Sequence, residues 1–255
     1  MKNKKALLAL ALVLVLGTTL VAGGTLAWFS DTDEVTNTFT VGSIEITQNE
    51  TFDEANAELL PVVKTPDHND PTTLDKTNNF IQKSVTVTND GKNPAYVQTF
   101  VAVPAVLDNG LLKQMLGNNT DWTLVGGQAV ATNVSITFDV DDDELTNNNV
   151  TQTFNVYQYR YNTELAVNTT TSESLSGIYV DAAADLKVYR DTNDAIEHAY
   201  FVWDGAEVTG FDLADSGDMK LHVLVATQAV QAQGFGSAAE ALDASFPNHP
   251  WYVAP

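Results

Sequence analysis

The chain has 255 residues, no cysteine and a formal net charge of −21 at pH 7. Without cysteine it has no disulfide bonds, no thiolate metal ligands and no lipidated N-terminal cysteine, so its stability must come from the burial of apolar side chains. A strongly acidic surface repels nucleic acid and anionic lipid. We therefore expect neither nucleic acid nor an anionic membrane surface among its partners.

The first 27 residues have the layout of a secretory signal peptide. Three lysines form a basic start, an apolar stretch covers residues 6–22, and Thr25 and Ala27 are the small residues of a cleavage site. Cleavage between Ala27 and Trp28 would leave 255 − 27 = 228 residues. An uncleaved anchor is the alternative, because the apolar stretch is near the lower length limit of a membrane span. We expect a secreted or cell-surface protein without a stable span after cleavage.

The segment that follows Ala27 has the pattern of a one-faced β-strand. Between residues 29 and 41 the odd-numbered positions hold every apolar residue, and the even-numbered positions are polar. Asp31 and Asp33 share the odd-numbered face with the apolar residues. Such a terminal strand can pair within its own chain or complete the sheet of a neighbour. The apolar residues of this face are Phe29, Val35, Phe39 and Val41.

The rest of the chain alternates between apolar and polar residues in short runs, separated by clusters of Asn, Asp, Thr and Gly. This pattern is typical of a β-sandwich or jelly roll, and we predict a single all-β domain over residues 28–255. The predicted strands cover residues 38–47, 80–89, 95–106, 133–140, 150–161, 178–188, 199–203 and 219–231.

Other local patterns predict helices, a turn and loops. Residues 109–116 and 237–246 are predicted to be short decorating helices, the second capped by Ser237 with Glu240 three residues later. Residues 89–94, Asn-Asp-Gly-Lys-Asn-Pro, predict a hairpin between the strands on either side. The polar segments 52–79 and 162–176 are predicted to be long loops.

The sequence contains no recognisable catalytic motif. The four histidines are widely separated, and none belongs to the His-Glu-x-x-His pair of a zinc protease. The acidic run at residues 139–144 begins like a calcium loop, but Glu144 stands where the EF-hand turn requires glycine, which favours an exposed acidic turn. We therefore predict no catalytic residue, no cofactor and no metal site.

Three stretches resemble the TasA/camelysin family. The first combines residues 23–31, Gly-Gly-Thr-Leu-Ala-Trp-Phe-Ser-Asp, with residues 39–46, Phe-Thr-Val-Gly-Ser-Ile-Glu-Ile. The second is residues 85–97, which are similar to the central hairpin of that family, and the third is residues 229–241 near the C-terminus. The resemblance thus touches the start, the middle and the end of the chain.

The resemblance implies a jelly-roll subunit that a SipW-type signal peptidase cleaves and that assembles with itself into biofilm-matrix fibres. In this chain the donated strand would be residues 28–41, with Phe29, Val35, Phe39 and Val41 facing the acceptor groove of the next subunit. An accessory fibre-anchoring protein would be a further partner. The camelysin branch is described as metallopeptidases, but this sequence offers no metal motif to receive that role.

Two alternatives to a structural polymer remain open at this point. One is a camelysin-like metallopeptidase at the cell surface. The other is a monomeric adhesin or carbohydrate-binding module, in which exposed tryptophans stack on sugars. Packing in the core is the competing interpretation of these side chains, which are Trp122, Trp203 and Trp251.

Overall fold

A computed structural model describes residues 30–32, 43–52, 59–117, 120–139, 149–193, 196–209 and 222–253. These residues form mostly β-strands with one α-helix and short 3₁₀ turns, which confirms the all-β prediction. The strands are β1 (Ser30–Thr32), β2 (Ile46–Phe52), β3 (Ile81–Asn89), β4 (Ala95–Pro104), β5 (Leu112–Met115), β6 (Trp122–Leu124), β7 (Ala131–Asp139), β8 (Asn149–Tyr161), β9 (Leu175–Val180), β10 (Asp185–Arg190), β11 (Ile196–Trp203), β12 (Ala206–Glu207) and β13 (Leu224–Gln231). The helix is α1 (Ala238–Ser245).

The strands form a sandwich of two antiparallel sheets with a smaller third sheet. The larger sheet has the order β1-β13-β4-β8-β6, and β7 also pairs with β8. The second sheet has the order β2-β3-β9-β5, and the third has the order β10-β11-β12. Val85 of β3, Val97 of β4 and Phe201 of β11 belong to one buried cluster. The core therefore lies between the sheets.

β4 is the central strand, because all ten of its residues are buried. Val97 and Val101 join the core between the sheets. On the opposite face Tyr96 packs with α1 and Phe100 packs with residues of β7 and β8. Each large apolar side chain that is fully buried stabilises the fold by about 1.5–3 kcal/mol. The larger sheet is thus covered on both of its faces.

The C-terminal helix α1 confirms the helix that was predicted at residues 237–246. Ser237 is the N-cap, and its Oγ accepts a hydrogen bond from the Glu240 amide at 3.2 Å. Ala241 and Leu242 are fully buried in the cluster that contains Tyr96. No helix in the described part of the chain is long and apolar enough to cross a membrane.

The helix predicted at residues 109–116 is wrong. This segment contains β5, which pairs with β9 from Leu112 opposite Val180 to Met115 opposite Gly177. Leu111 and Leu112 are buried in the main core. The apolar residues of this segment have helical spacing but form a short strand, because pairing with β9 outweighs the local preference for a helix.

The single strand predicted at residues 178–188 is also wrong, since the chain forms two strands there. β9 ends at Val180 and β10 begins at Asp185, and the two strands lie in different sheets. Asp181 makes the turn between them: its Oδ1 accepts from the Ala183 amide at 2.9 Å, and its carbonyl accepts from the Ala184 amide at 3.0 Å. This is an Asx-type turn, which a run of alternating apolar residues does not reveal.

Residues 89–94 do not form the predicted hairpin. β3 and β4 belong to different sheets, so this turn carries the chain from one sheet to the other. Its backbone bonds to the segment before β2: the Asp90 amide donates to the Glu45 carbonyl at 2.8 Å, and the Lys92 amide donates to the Ser43 carbonyl at 2.9 Å. Residues 89–94 correctly predicted a change of chain direction, but their sequence does not specify that β3 and β4 lie in different sheets.

The remaining predicted elements agree with the structure to within a few residues, apart from the first and the last strand. Of the strand predicted at residues 38–47, residues 38–42 lie outside the described residues, residues 43–45 are not in a strand, and β2 covers Ile46–Phe52. The strand predicted at 219–231 corresponds to β13, with residues 219–221 outside the described residues. Residues 59–79 of the first predicted loop form a loop with two 3₁₀ turns, residues 53–58 lie outside the described residues, and β9 begins inside the second predicted loop.

The packing of the inter-sheet turn gives a stability test at Gly91. A Cβ atom there would lie 2.6 Å from the Ser43 carbonyl oxygen and 2.8 Å from the Glu45 nitrogen. Gly91→Ala should therefore lower the free energy of unfolding by about 1–3 kcal/mol, as overpacking does. Urea unfolding followed by circular dichroism measures this change.

Gly236→Ala is the matched control, because the added Cβ would lie 3.2 Å from the flexible Glu240 carboxylate. It should change the free energy of unfolding by no more than about 0.5 kcal/mol. If Gly91→Ala were as stable as this control, the turn would not be packed against residues 43–45.

Candidate assembly site

The described part of the candidate donor strand lies at one edge of the larger sheet. β1 pairs with β13 in antiparallel orientation, with Ser30 opposite Val230 and Thr32 opposite Gln228. On its other side β1 has no strand neighbour within the described residues. The N-terminal strand is therefore an addition to the edge of a sheet, docked within its own chain.

β13 is the strand that receives β1. It pairs with β4 over all eight of its residues, from Leu224 opposite Ala102 to Gln231 opposite Ala95. Ala229 is part of the core between the sheets, and Val230 packs with α1 on the other face. β13 is thus held firmly on its β4 side and meets β1 through three described residue pairs on the other.

A ladder of three hydrogen-bonded glutamines, two of them buried, fixes the register of β13. Gln98 of β4 donates from Nε2 to Gln228 Oε1 of β13 at 2.8 Å, and Gln158 of β8 donates from Nε2 to Gln98 Oε1 at 2.6 Å. Gln98 is fully buried, and Gln228 is 4% exposed. A buried amide that loses its partner costs about 1–3 kcal/mol, so a slip of β13 by one residue is unfavourable.

A second polar contact ties the edges of the two sheets together. Thr227 of β13 donates from Oγ1 to Gln48 Oε1 of β2 at 2.5 Å. The Gln48 Nε2 lies 3.5 Å from the Val225 carbonyl of β13. Because β2 is an edge strand of the second sheet, both sheet edges meet beside the place where β1 binds.

Charge does not select the partner of β13. The sequence of β13, Leu-Val-Ala-Thr-Gln-Ala-Val-Gln, contains no ionisable residue, whereas the candidate donor carries Asp31, Asp33 and Glu34. A strand that binds here is therefore recognised through backbone hydrogen bonds and side-chain packing. This is the chemistry of strand addition to an open sheet edge.

All of the predicted site residues lie outside the described residues. This holds for Ala27 and Trp28 at the predicted cleavage site, and for the whole predicted donor face, Phe29, Val35, Phe39 and Val41. Those assignments stay predictions. The receiving strand β13 was predicted as a strand, but nothing in the sequence indicated that it pairs with the N-terminal segment.

Within the described parts of the chain, the histidines do not converge on a metal site. His68 lies in the loop before β3, His198 on β11, His222 before β13 and His249 after α1. Among the described residues no three His, Cys, Asp or Glu side chains lie close enough to hold one metal ion. These residues therefore do not fit the zinc site of a metallopeptidase, which requires three protein ligands and a water. Residues 140–148, which include most of the acidic run, are outside the described residues.

The three candidate tryptophans pack against the protein. Trp122 is 1% exposed and donates from Nε1 to the Ser172 carbonyl at 3.0 Å, so its stacking on a sugar is excluded. Trp203 packs against the main core and donates to the Asn109 carbonyl at 3.3 Å. Trp251 packs against the cluster that contains Phe100. Core packing is thus the better interpretation of all three.

The fold and the edge pairing define an all-β sandwich protein with an N-terminal edge strand. A family model described as camelysin metallo-endopeptidase matches residues 2–95 of the chain. The resemblance to the TasA/camelysin family is therefore confirmed over these residues, which include the candidate donor, β2 and β3. No curated protein and no solved structure matches the chain.

Proposed function

We propose that this protein is a secreted structural subunit that polymerises into extracellular fibres by N-terminal donor-strand exchange after its signal peptide is removed. The observation that carries the proposal is the pairing of β1 with the edge strand β13. Because β1 lies at an edge, another copy can supply this strand without changing the order of the remaining strands. The family match covers the candidate donor segment, residues 28–41.

The register between β1 and β13 indicates which residues of a longer donor strand would lie opposite which residues of β13. Ser30 lies opposite Val230, so a donor that continues in this register would place Asp33 opposite Thr227 and Val35 opposite Val225. Val225 packs against the main core, so Val35 would meet apolar neighbours there, whereas Thr227 already donates its hydroxyl proton to Gln48 and has none for the Asp33 carboxylate. This register therefore suits Val35 of the donor, and Asp33 is the donor residue that fits β13 least well.

Exchange of this kind produces a filament. The donor lies at the start of one subunit and the acceptor edge lies on β13 of the next, so the contact is head-to-tail and grows unless it closes into a ring. A signal peptide attached to Trp28 would keep the donor at the membrane until a SipW-type signal peptidase releases it. Assembly would then be restricted to the outside of the cell, in the matrix or at the cell surface.

The charge of the mature chain would oppose assembly. All 33 acidic residues but only 9 of the 12 basic ones follow Ala27, which gives 9 − 33 = −24. Screening lengths are about 8 Å at ~0.15 M salt and about 3 Å at ~1 M, so added salt shortens the reach of the repulsion between subunits. We expect salt or divalent cations to accelerate fibre growth.

Peptidase activity is the second candidate, and the description of the matched family favours it. The described residues offer no group of three metal-binding side chains, so no catalytic step can be derived from them. We therefore propose a structural role without enzymatic activity.

Deletion of residues 28–41 tests the fibre proposal. The truncated protein should remain soluble and form no fibres, whereas the mature chain forms them, faster at high salt. Negative-stain electron microscopy and sedimentation measure both results. Fibres from the truncated protein under the same conditions would show that this segment is not the donor. Loss of its β-type circular dichroism would show that the strand is an integral part of its own sheet.

A point substitution separates the two faces of the donor. Phe39→Asp would place a charge on the apolar face, where burial without a partner costs several kcal/mol, and it should abolish fibre formation. Thr40→Asp adds the same charge on the polar face and is the matched control. Equal fibre yields from the two variants would contradict the assignment of the donor face.

The mature protein should leave casein intact in the presence of zinc. Its activity should be measured after gel filtration, together with the buffer fractions, to exclude contaminating secreted proteases. Hydrolysis that follows the protein peak, disappears with a chelator and returns with zinc would show that the protein is a metallopeptidase.

A further inference from the structure

A cavity of about 380 Å³ lies on the outer face of the larger sheet. Gln158 of β8 and Val130, which precedes β7, line one side, and the chain from the end of α1 to His249 lines the other. Its volume is at the lower end of the range of small-ligand pockets, about 300–1,000 Å³. No residue of β13 lines it, so the cavity is separate from the edge where β1 binds.

The lining of this cavity combines apolar and neutral polar groups. The phenyl ring of Phe246 and the side chain of Val130 are apolar, whereas Gln158 and Asn248 contribute amides. The Gln158 amide is held in place, because its Nε2 donates to the buried Gln98 at 2.6 Å. A ligand that suits these walls has both an apolar surface and hydrogen-bonding groups.

The charge of the cavity favours a neutral ligand. Asp243 is the lining carboxylate, and its Oδ1 already accepts a hydrogen bond from Arg160 Nη2 at 2.5 Å. Because Arg160 balances the charge of Asp243, the cavity wall has little negative charge to attract a cation. An anion would meet both this carboxylate and a chain of net charge −21.

The lining residue His249 adds no charge to the cavity. Its Nδ1 is buried and has no hydrogen-bond partner within the described residues. Burial lowers the pKa of His249, so the ring is neutral near pH 7.

We propose that this cavity binds a neutral sugar unit. A pyranose ring has a C–H face that packs on an aromatic ring such as Phe246, and its hydroxyl groups can bond to the Gln158 and Asn248 amides. A purely apolar ligand would leave the amides without partners. The inference does not rest on fibre formation; a polymer with one such site per subunit would bind a polysaccharide at many points.

The test titrates the mature protein with four neutral sugars, D-glucose, D-galactose, D-mannose and N-acetyl-D-glucosamine. Saturation-transfer NMR detects binding, and the side-chain amide signals of Gln158 and Asn248 in ¹⁵N-labelled protein report its place. At least one sugar should give saturable shifts of these two amides. If none of the four sugars binds, or if the sugar that binds shifts only other signals, the proposal is wrong.

Two variants locate the binding site. Val130→Trp should fill the cavity and weaken sugar binding by at least about tenfold, whereas Val150→Trp should not; both valines are 42% exposed, and Val150 does not line the cavity. Asn248→Ala removes one exposed amide with little risk to folding and should weaken binding about fivefold. Unchanged affinity in Val130→Trp and Asn248→Ala, with native-like spectra, would overturn the proposal.

Discussion

A sheet edge must satisfy its backbone hydrogen-bonding groups, and this constraint acts on β13. On one side β13 is fixed to the fully buried strand β4 by eight residue pairs. On the other side its N–H and C=O groups face the position that β1 occupies. An edge with unpaired groups invites another strand, so under the proposed exchange the strand that covers β13 would decide whether the protein remains a monomer or grows.

The rest of the architecture makes this edge rigid. The glutamine ladder from Gln228 through Gln98 to Gln158 fixes β13 against slipping, and the contact between Thr227 and Gln48 joins it to the second sheet. α1 covers the outer face beside Val230. A strand that docks here therefore meets a preformed partner, which lowers the cost of ordering on binding. The chain has no cysteine, so all of this rigidity comes from packing and hydrogen bonds.

The sequence predicted the local elements well and their partners poorly. Alternation in β3, β4 and β8 and the cap of α1 are short-range signals, and each element was found. The turn at residues 89–94 and the strand β5 were misassigned, because their structures depend on residues far along the chain, such as Ser43 and Val180. The glutamine ladder shows the same limit. Its hydrogen-bonded pairs, Gln98 with Gln228 and Gln98 with Gln158, are 130 and 60 residues apart in the sequence, and no local pattern connects them.

The most direct test of donor-strand exchange is a disulfide between two different chains. The protein has no cysteine, so Ser30→Cys in one preparation and Val230→Cys in another place single thiols at residues that lie opposite each other. Opposed residues of antiparallel strands have Cα atoms about 4.5–5.5 Å apart, within the range of a disulfide. Fibres assembled from the mixture and then oxidised should contain disulfide-linked dimers of the two variants on a non-reducing gel, whereas a mixture of Ser30→Cys and Val188→Cys should not. Mixed fibres without the Ser30→Cys to Val230→Cys dimer would show that subunits do not exchange this strand.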